Sequence, residues 1–158
     1  MTDLPGSGVP PTQFFGQFRL KIDEKGRLTL PATHRNALPA GADLEFVVRR
    51  SAKDSCLQLI PKAEWHSLAA RRRGQPNADG DALRWQQRTL YSQAEEVVLD
   101  LKGRMAISRE RLASAGISDE AIVVGVNRIL ELWEPQAFLS ALDQKAAAPS
   151  DVDDLLYE

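Results

Sequence analysis

The chain has 158 residues, 43% apolar and 27% charged, with a formal net charge of −2; that fits one compact globular domain or two very small ones. The longest apolar stretches, such as AIVVGV at 121–126, fall well short of the roughly 20 residues that span a bilayer. Cys56 is the sole cysteine, which excludes an intrachain disulfide, and the start MTDLPGSGVPPTQ lacks the basic and apolar regions of a signal peptide, so a reducing cytoplasm is expected.

Residues 1–13 hold three prolines and two glycines without periodicity and read as a flexible extension. Phe18, Leu20 and Ile22 then alternate with polar residues, as in a half-buried strand. A turn follows at Glu24-Lys25-Gly26, and Leu28 and Leu30 resume the alternation. Pro31 opens a short helical piece, ATHRNAL, closed by Pro39 and Gly41. LEFVV (44–48) and CLQLI (56–60) read as strands, and Trp65, Leu68 and Ala69 sit at helical spacing. After the breaker-rich RRRGQPNADG, residues 80–94 look helical, with Leu83, Leu90 and Ala94 in register. Val97 to Leu99, a second turn, and Met105 to Ile107 come next. A helical RERLASAG, the strands AIVVGV and ILELWE, and a helix with Phe138, Ala141 and Leu142 on one face complete the folded part. Residues 144–158 are Ala-rich, then acidic.

The second half repeats the first. LKIDEKGRLTLP at 20–31 matches VVLDLKGRMAIS at 97–108, so Asp23, Lys25, Gly26 and Arg27 recur 77 residues later as Asp100, Lys102, Gly103 and Arg104. LQLIPKAEW (57–65) matches LELWEPQAF (130–138) at an offset of 73, which places a four-residue shortening between them. Repeats of this kind decide the architecture. The expected organisation is an extension at 1–13, a repeat at 14–74, a loop and linking helix at 75–94, a repeat at 95–143 and a tail at 144–158. One such unit would be marginal alone. Two related by a pseudo-two-fold axis can share a core, which predicts an α+β fold: a small β-barrel of two intertwined strand–turn–strand units with peripheral helices.

Asp at the first position of each turn can accept from the backbone two residues on, and Gly at the fourth supplies the left-handed conformation of a three-residue hairpin loop. Turn geometry accounts for Asp23, Asp100, Gly26 and Gly103. It does not require Lys25, Arg27, Lys102 or Arg104. Cations at a hairpin tip can meet phosphates, and the planar fork of arginine suits the O6 and N7 edge of guanine. A plain solvated Lys/Arg pair is the alternative, and recurrence of all four polar positions weighs against it.

The net charge conceals an uneven distribution. Residues 143–158 carry −4, leaving +2 on the remaining chain, so local clusters matter more than the total. Arg49-Arg50, Arg71-Arg72-Arg73 and the turns are the positive places. The arginine triplet reads as a solvated helix end, an acidic-partner site or a DNA flank. Trp85 and Tyr91 suit either core or subunit interface, and the acidic tail could mask the basic turns. An enzyme is not indicated: the paired aspartates lack the Asp-Thr-Gly or Asp-Ser-Gly context of a shared-proton dyad. The two histidines, His34 and His66, have no recognisable catalytic partner, and two His with one Cys make no metal site at useful spacing. No cofactor is expected. His34, beside Arg35 on a short helix, reads as a phosphate contact or surface; His66, beside Trp65, as packing.

On Phe15-Gly16, DEKGRLTLPATHR (23–35), LIPKAEW (59–65), DLKGR (100–104), AGI (115–117) and LELWEPQAF (130–138), the chain resembles the MraZ family over about residues 14–142. The resemblance implies a swapped-hairpin (AbrB-like) fold and a sequence-specific DNA-binding repressor of the division and cell-wall gene cluster. It implies binding to repeated sites in the protein's own promoter, as a ring-like homo-oligomer in the cytoplasm and on the nucleoid. The family's Asp-x-x-x-Arg contact motif falls on Asp23 and Arg27, and on Asp100 and Arg104. The DNA-binding set expected here is therefore Asp23, Lys25, Arg27, Asp100, Lys102, Arg104, His34 and Arg35. The second copy departs from the family pattern, with Ser108 at the proline position and Arg111-Leu112 where Leu-Arg is usual. Ser108 remains a good helix N-cap, but no arginine matches Arg35. The alternative is an oligomeric protein-interaction module without DNA.

Overall fold

The computed structural model describes residues 12–39, 44–73, 80–145 and 156, without the side chains of Arg72 and Arg73. Most of the expected extension, Gly41, the loop at 74–79 and most of the acidic tail lie outside the described residues.

The expected elements form in order. β1 (Gln17–Lys21), β2 (Arg27–Thr29), α1 (Ala32–Asn36), β3 (Glu45–Arg50), β4 (Cys56–Pro61) and α2 (Lys62–Arg73) make the first half. α3 (Gly80–Ser92) links it to β5 (Ala94–Val98), β6 (Arg104–Ala106), α4 (Arg109–Ser114), β7 (Glu120–Val126), β8 (Ile129–Trp133) and α5 (Pro135–Lys145). Ser108 caps α4, its side chain accepting from the Arg111 amide and satisfying one of the free donors of the first turn.

The expected closed barrel does not form. Six strands make an open sheet in the order β1-β7-β8-β4-β3-β5, and β2 pairs with β6 in a separate two-stranded ribbon. The order reads the same from either edge once the repeats are equated, so the pseudo-two-fold axis passes between β8 and β4. Each hairpin is split between the two sheets. β1 pairs antiparallel with β7 of the other repeat and β5 with β3, while β2 and β6 pair with each other. The sheet therefore keeps two edges, β1 and β5, each running through its turn into a ribbon strand.

The ribbon closes one face of the sheet. Leu28 and Leu30 from one half and Met105 and Ile107 from the other bury their side chains against Phe46, Val48, Leu57, Leu59, Leu130 and Leu132. Pleat alternation explains the pattern: Leu28 and Met105 point inward, and Arg27, Thr29, Arg104 and Ala106 outward. The opposite face is covered by α2, through Trp65 on Val47 and Ile60, and by α5, through Phe138 on Cys56, Ile122 and Trp133. Burial, then the charges of Glu131 and Asp54, push the Cys56 thiol up to about 12, which keeps it protonated and unreactive.

Trp85 and Tyr91, for which sequence left core and interface open, are both exposed on α3, a helix with no buried residue. Tyr91 meets the buried Trp65 edge to face at 5.4 Å, and Arg88 lies 4.7 Å over the Trp85 ring. His66, expected in packing, is exposed, because one residue of helix turns it away from the face that Trp65 buries.

Candidate nucleic-acid interface

Each basic turn is a three-residue hairpin loop. The Asp23 amide donates to the Arg27 carbonyl at 3.0 Å, and the Gly26 amide to the Asp23 carbonyl at 3.0 Å; Asp100, Gly103 and Arg104 repeat this at 2.9 and 3.0 Å. Gly26 has φ 78° and Gly103 φ 81°, the left-handed conformation at which a side chain is strained.

The aspartates shape both backbone and cation. Asp23 Oδ1 accepts from the amides of Lys25 and Arg27, each at 2.9 Å, while Oδ2 accepts from Arg27 Nε at 2.7 Å. Asp100 does the same for Lys102, Arg104 and Arg104 Nε at 2.8, 2.9 and 3.2 Å. The backbone donors of Arg27 and Arg104 are the first cause holding both carboxyls below the usual carboxylate range. Pairing through Nε leaves the outer edge of each guanidinium without a hydrogen bond among the described residues. Lys25 and Lys102 are exposed at the tips.

Ribbon pairing brings the two turns together. Arg27 stands opposite Ala106, and Thr29 opposite Arg104. The two arginines are thus diagonal neighbours on one outward face, with about 7–8 Å expected between their backbones. A cleft of about 700 Å³ runs beside them, lined by Lys21, Asp23, Arg27, Thr29, Arg104 and Glu120 among others.

Two expected site residues are placed differently. His34 is fully buried rather than at the surface. Its Nε2 donates to the Phe15 carbonyl at 2.8 Å, and its ring packs T-shaped with those of Phe18 and Phe14, centroids 5.1 and 6.0 Å apart. The segment entering β1 folds over α1 and covers it, so its side chain is not available to a phosphate. Arg35 is half-buried; its Nε donates to the Leu30 carbonyl at 3.1 Å, and its side chain lies against Gly103 of the opposite turn. Its repeat counterpart is the buried Leu112, whose methyl sits behind Gly26. Both hold a turn from behind.

Arg109 was not singled out from sequence. From the start of α4 it donates to the carbonyls of Asp23, Glu24 and Ser118, clamping the first turn. Its repeat counterpart is Ala32, a break in the repeat that is the only trace of this role in the sequence. Other basic candidates are engaged elsewhere. Arg50 donates to the Ser114 carbonyl at 3.1 Å, Arg49 to Gln58 at 2.7 Å, Arg111 to Glu95 at 3.1 Å, and Arg71 to Glu64 at 3.3 Å. Among the described residues, no group of three or more His, Cys, Asp or Glu could hold a metal ion, and no helix is long and apolar enough to cross a membrane.

Fold and site together define a duplicated, hairpin-exchanged protein that presents two Asp-braced basic turns on one ribbon. A family model described as "MraZ protein, putative antitoxin-like" matches residues 14–87 and 90–154. Proteins named "Transcriptional regulator MraZ" are similar over most of the chain. The one from Roseiflexus sp. (strain RS-1) is 37% identical over 137 residues, covering 85% of this chain and 92% of its own length. That from Saccharopolyspora erythraea is 34% identical over 131 residues, with 83% and 87% covered. That from Acidovorax sp. (strain JS42) is 31% identical over 145 residues, with 92% and 97% covered. The chain belongs to the MraZ family.

Proposed function

We propose that this protein is a non-enzymatic transcriptional regulator that binds double-stranded DNA through the ribbon bearing Arg27 and Arg104. The observation that carries the reading is the placement of both arginines on one outward ribbon face, each oriented by its own aspartate. A two-stranded ribbon is narrow enough to enter the major groove, where an arginine fork pairs with guanine O6 and N7. Lys25 and Lys102, at the tips, meet phosphates. Asp23 and Asp100 aim the cations, and Arg35 acts from behind the second turn. The names of the relatives support regulation of transcription.

The finer form of the proposal is a repressor of the division and cell-wall gene cluster, working in the cytoplasm on the nucleoid. It binds repeated sites in its own promoter as a homo-oligomeric ring. One ribbon binds weakly; several on one ring gain through effective concentration when their spacing matches the DNA. Exposed Trp85, Tyr91 and Leu68 give α2 and α3 apolar surface for contact between copies, and the same surface favours the interaction module as the second reading.

The test is fluorescence-anisotropy titration of the full chain against the DNA upstream of its own gene and against a scrambled duplex, across a salt series. Specific binding is expected, with log K falling against log salt by about 3–4 per engaged protomer, for four neutralised phosphates. Equal affinity for both duplexes would leave the oligomeric interaction module.

A further inference from the structure

The two turns serve as controls for each other. They share Asp, Lys, Gly and Arg, the same aspartate hydrogen bonds and the same glycine conformation. They differ at the second residue, which is Glu24 in one and Leu101 in the other. Turn geometry is indifferent to this position, because the first turn forms with a glutamate there. Leu101 is 94% exposed, the most exposed of the large apolar side chains among the described residues.

A lone exposed leucine on an ordinary surface needs no explanation. Leu101 is not so placed: it occupies the tip of a basic turn, directly before Lys102 and three residues before Arg104. We propose that Leu101 contacts the C5-methyl of a thymine in the DNA major groove, making the second turn selective for thymine and the first indifferent to it. This rests on the DNA-binding reading above.

The chemistry of the groove supports the assignment. The thymine methyl is the apolar group that base pairs present in the major groove, and apolar side chains read it. Glu24 offers only an acceptor and a negative charge. The four charges of the first turn cancel, whereas the second turn carries one net positive charge, so the second tip approaches phosphate-lined DNA at lower electrostatic cost. A protein contact is less well matched. Leu101 is flanked in sequence by Asp100 and Lys102 and belongs to no apolar cluster among the described residues. Val98, the nearest exposed large apolar side chain along the chain, lies back on β5 opposite Glu45.

The experiment uses the full chain and two versions of the DNA upstream of its gene, one amplified with dTTP and one with dUTP. Deoxyuridine keeps the base pair and lacks only the methyl group. The wild-type protein is expected to prefer the thymine DNA by about fourfold per engaged turn, the factor for burying one methyl-sized group. Leu101→Ala should bind both DNAs as the wild type binds the uracil version, and Glu24→Ala should keep the wild-type preference. A wild type that does not discriminate, or a Leu101→Ala variant that still does, overturns the proposal. So does equal weakening on both DNAs with a smaller assembly in light scattering, which would make Leu101 a contact between copies. Loss of preference for promoter over scrambled duplex in the wild type would mark failure of the DNA-binding reading itself, and the proposal would fall with it.

Discussion

The turn from Asp23 to Arg27 and the turn from Asp100 to Arg104 share Asp, Lys, Gly and Arg and differ at Glu24 and Leu101, and different side chains stand behind them. A Cβ on Gly26 would fall 2.0 Å from the Ile107 carbonyl oxygen, and Arg109 fastens the carbonyls of Asp23 and Glu24. A Cβ on Gly103 would meet the Arg35 side chain at 2.3 Å, a neighbour that can swing aside. Local sequence shapes a turn, while the partner hairpin decides how rigidly it is held. Each turn glycine accepts one backbone hydrogen bond from the opposite half, Gly26 from the Ile107 amide at 2.9 Å and Gly103 from the Leu30 amide at 2.8 Å. The first turn is further clamped by Arg109 and has backbone behind its glycine, whereas the second has the Arg35 side chain there.

The sharpest test of this contrast is one substitution made in each turn. Gly26→Ala combines left-handed strain with a backbone collision and should cost about 2–4 kcal/mol; Gly103→Ala should cost about 1–2 kcal/mol, mostly the strain alone. Urea denaturation of each variant measures the difference, and equal losses would mean that the first turn yields as easily as the second. Next in size is DNA binding. Arg27→Ala and Arg104→Ala should each weaken promoter binding by about 10–100-fold per engaged protomer, the loss of one charge-assisted contact, with the melting temperature nearly unchanged because both ion pairs are exposed. Anisotropy titration checks this, and an effect of one arginine only would assign the contact to a single turn.

The smallest effect is on pH. Both aspartates have folded-state values below their usual range. Their contribution to turn order is therefore complete above the ordinary carboxylate range, near pH 4, and is lost as pH falls through the lower folded values. Carboxyl-carbon NMR of Asp23 and Asp100 should show both titrating below the ordinary aspartate value of about 3.9. Midpoints at the ordinary value would show that the turn hydrogen bonds do not persist in solution.

Much of the site was legible because its causes are local. Asp23 bonds amides two and four residues ahead, and Gly26 turns the chain within the same five residues, so spacing alone revealed them. Recurrence at Asp100 and Gly103 then separated motif from coincidence. His34 and Arg109 were illegible for the opposite reason. What buries the first comes from Phe14, Phe15 and Phe18, and what the second clamps lies 85 residues away.

The amino-acid order by itself determined the two repeats, the strand and helix periods, and the shape of both basic turns, since hydrogen bonds and pleat alternation over a few residues suffice for each. The repeat and the family resemblance already imply exchanged hairpins. Only the tertiary structure decided that β1 pairs with β7 and β5 with β3, that the six-stranded sheet stays open, and that Arg27 and Arg104 share one ribbon. Strand pairing depends on which apolar faces find one another across the whole chain, and no local pattern encodes that choice.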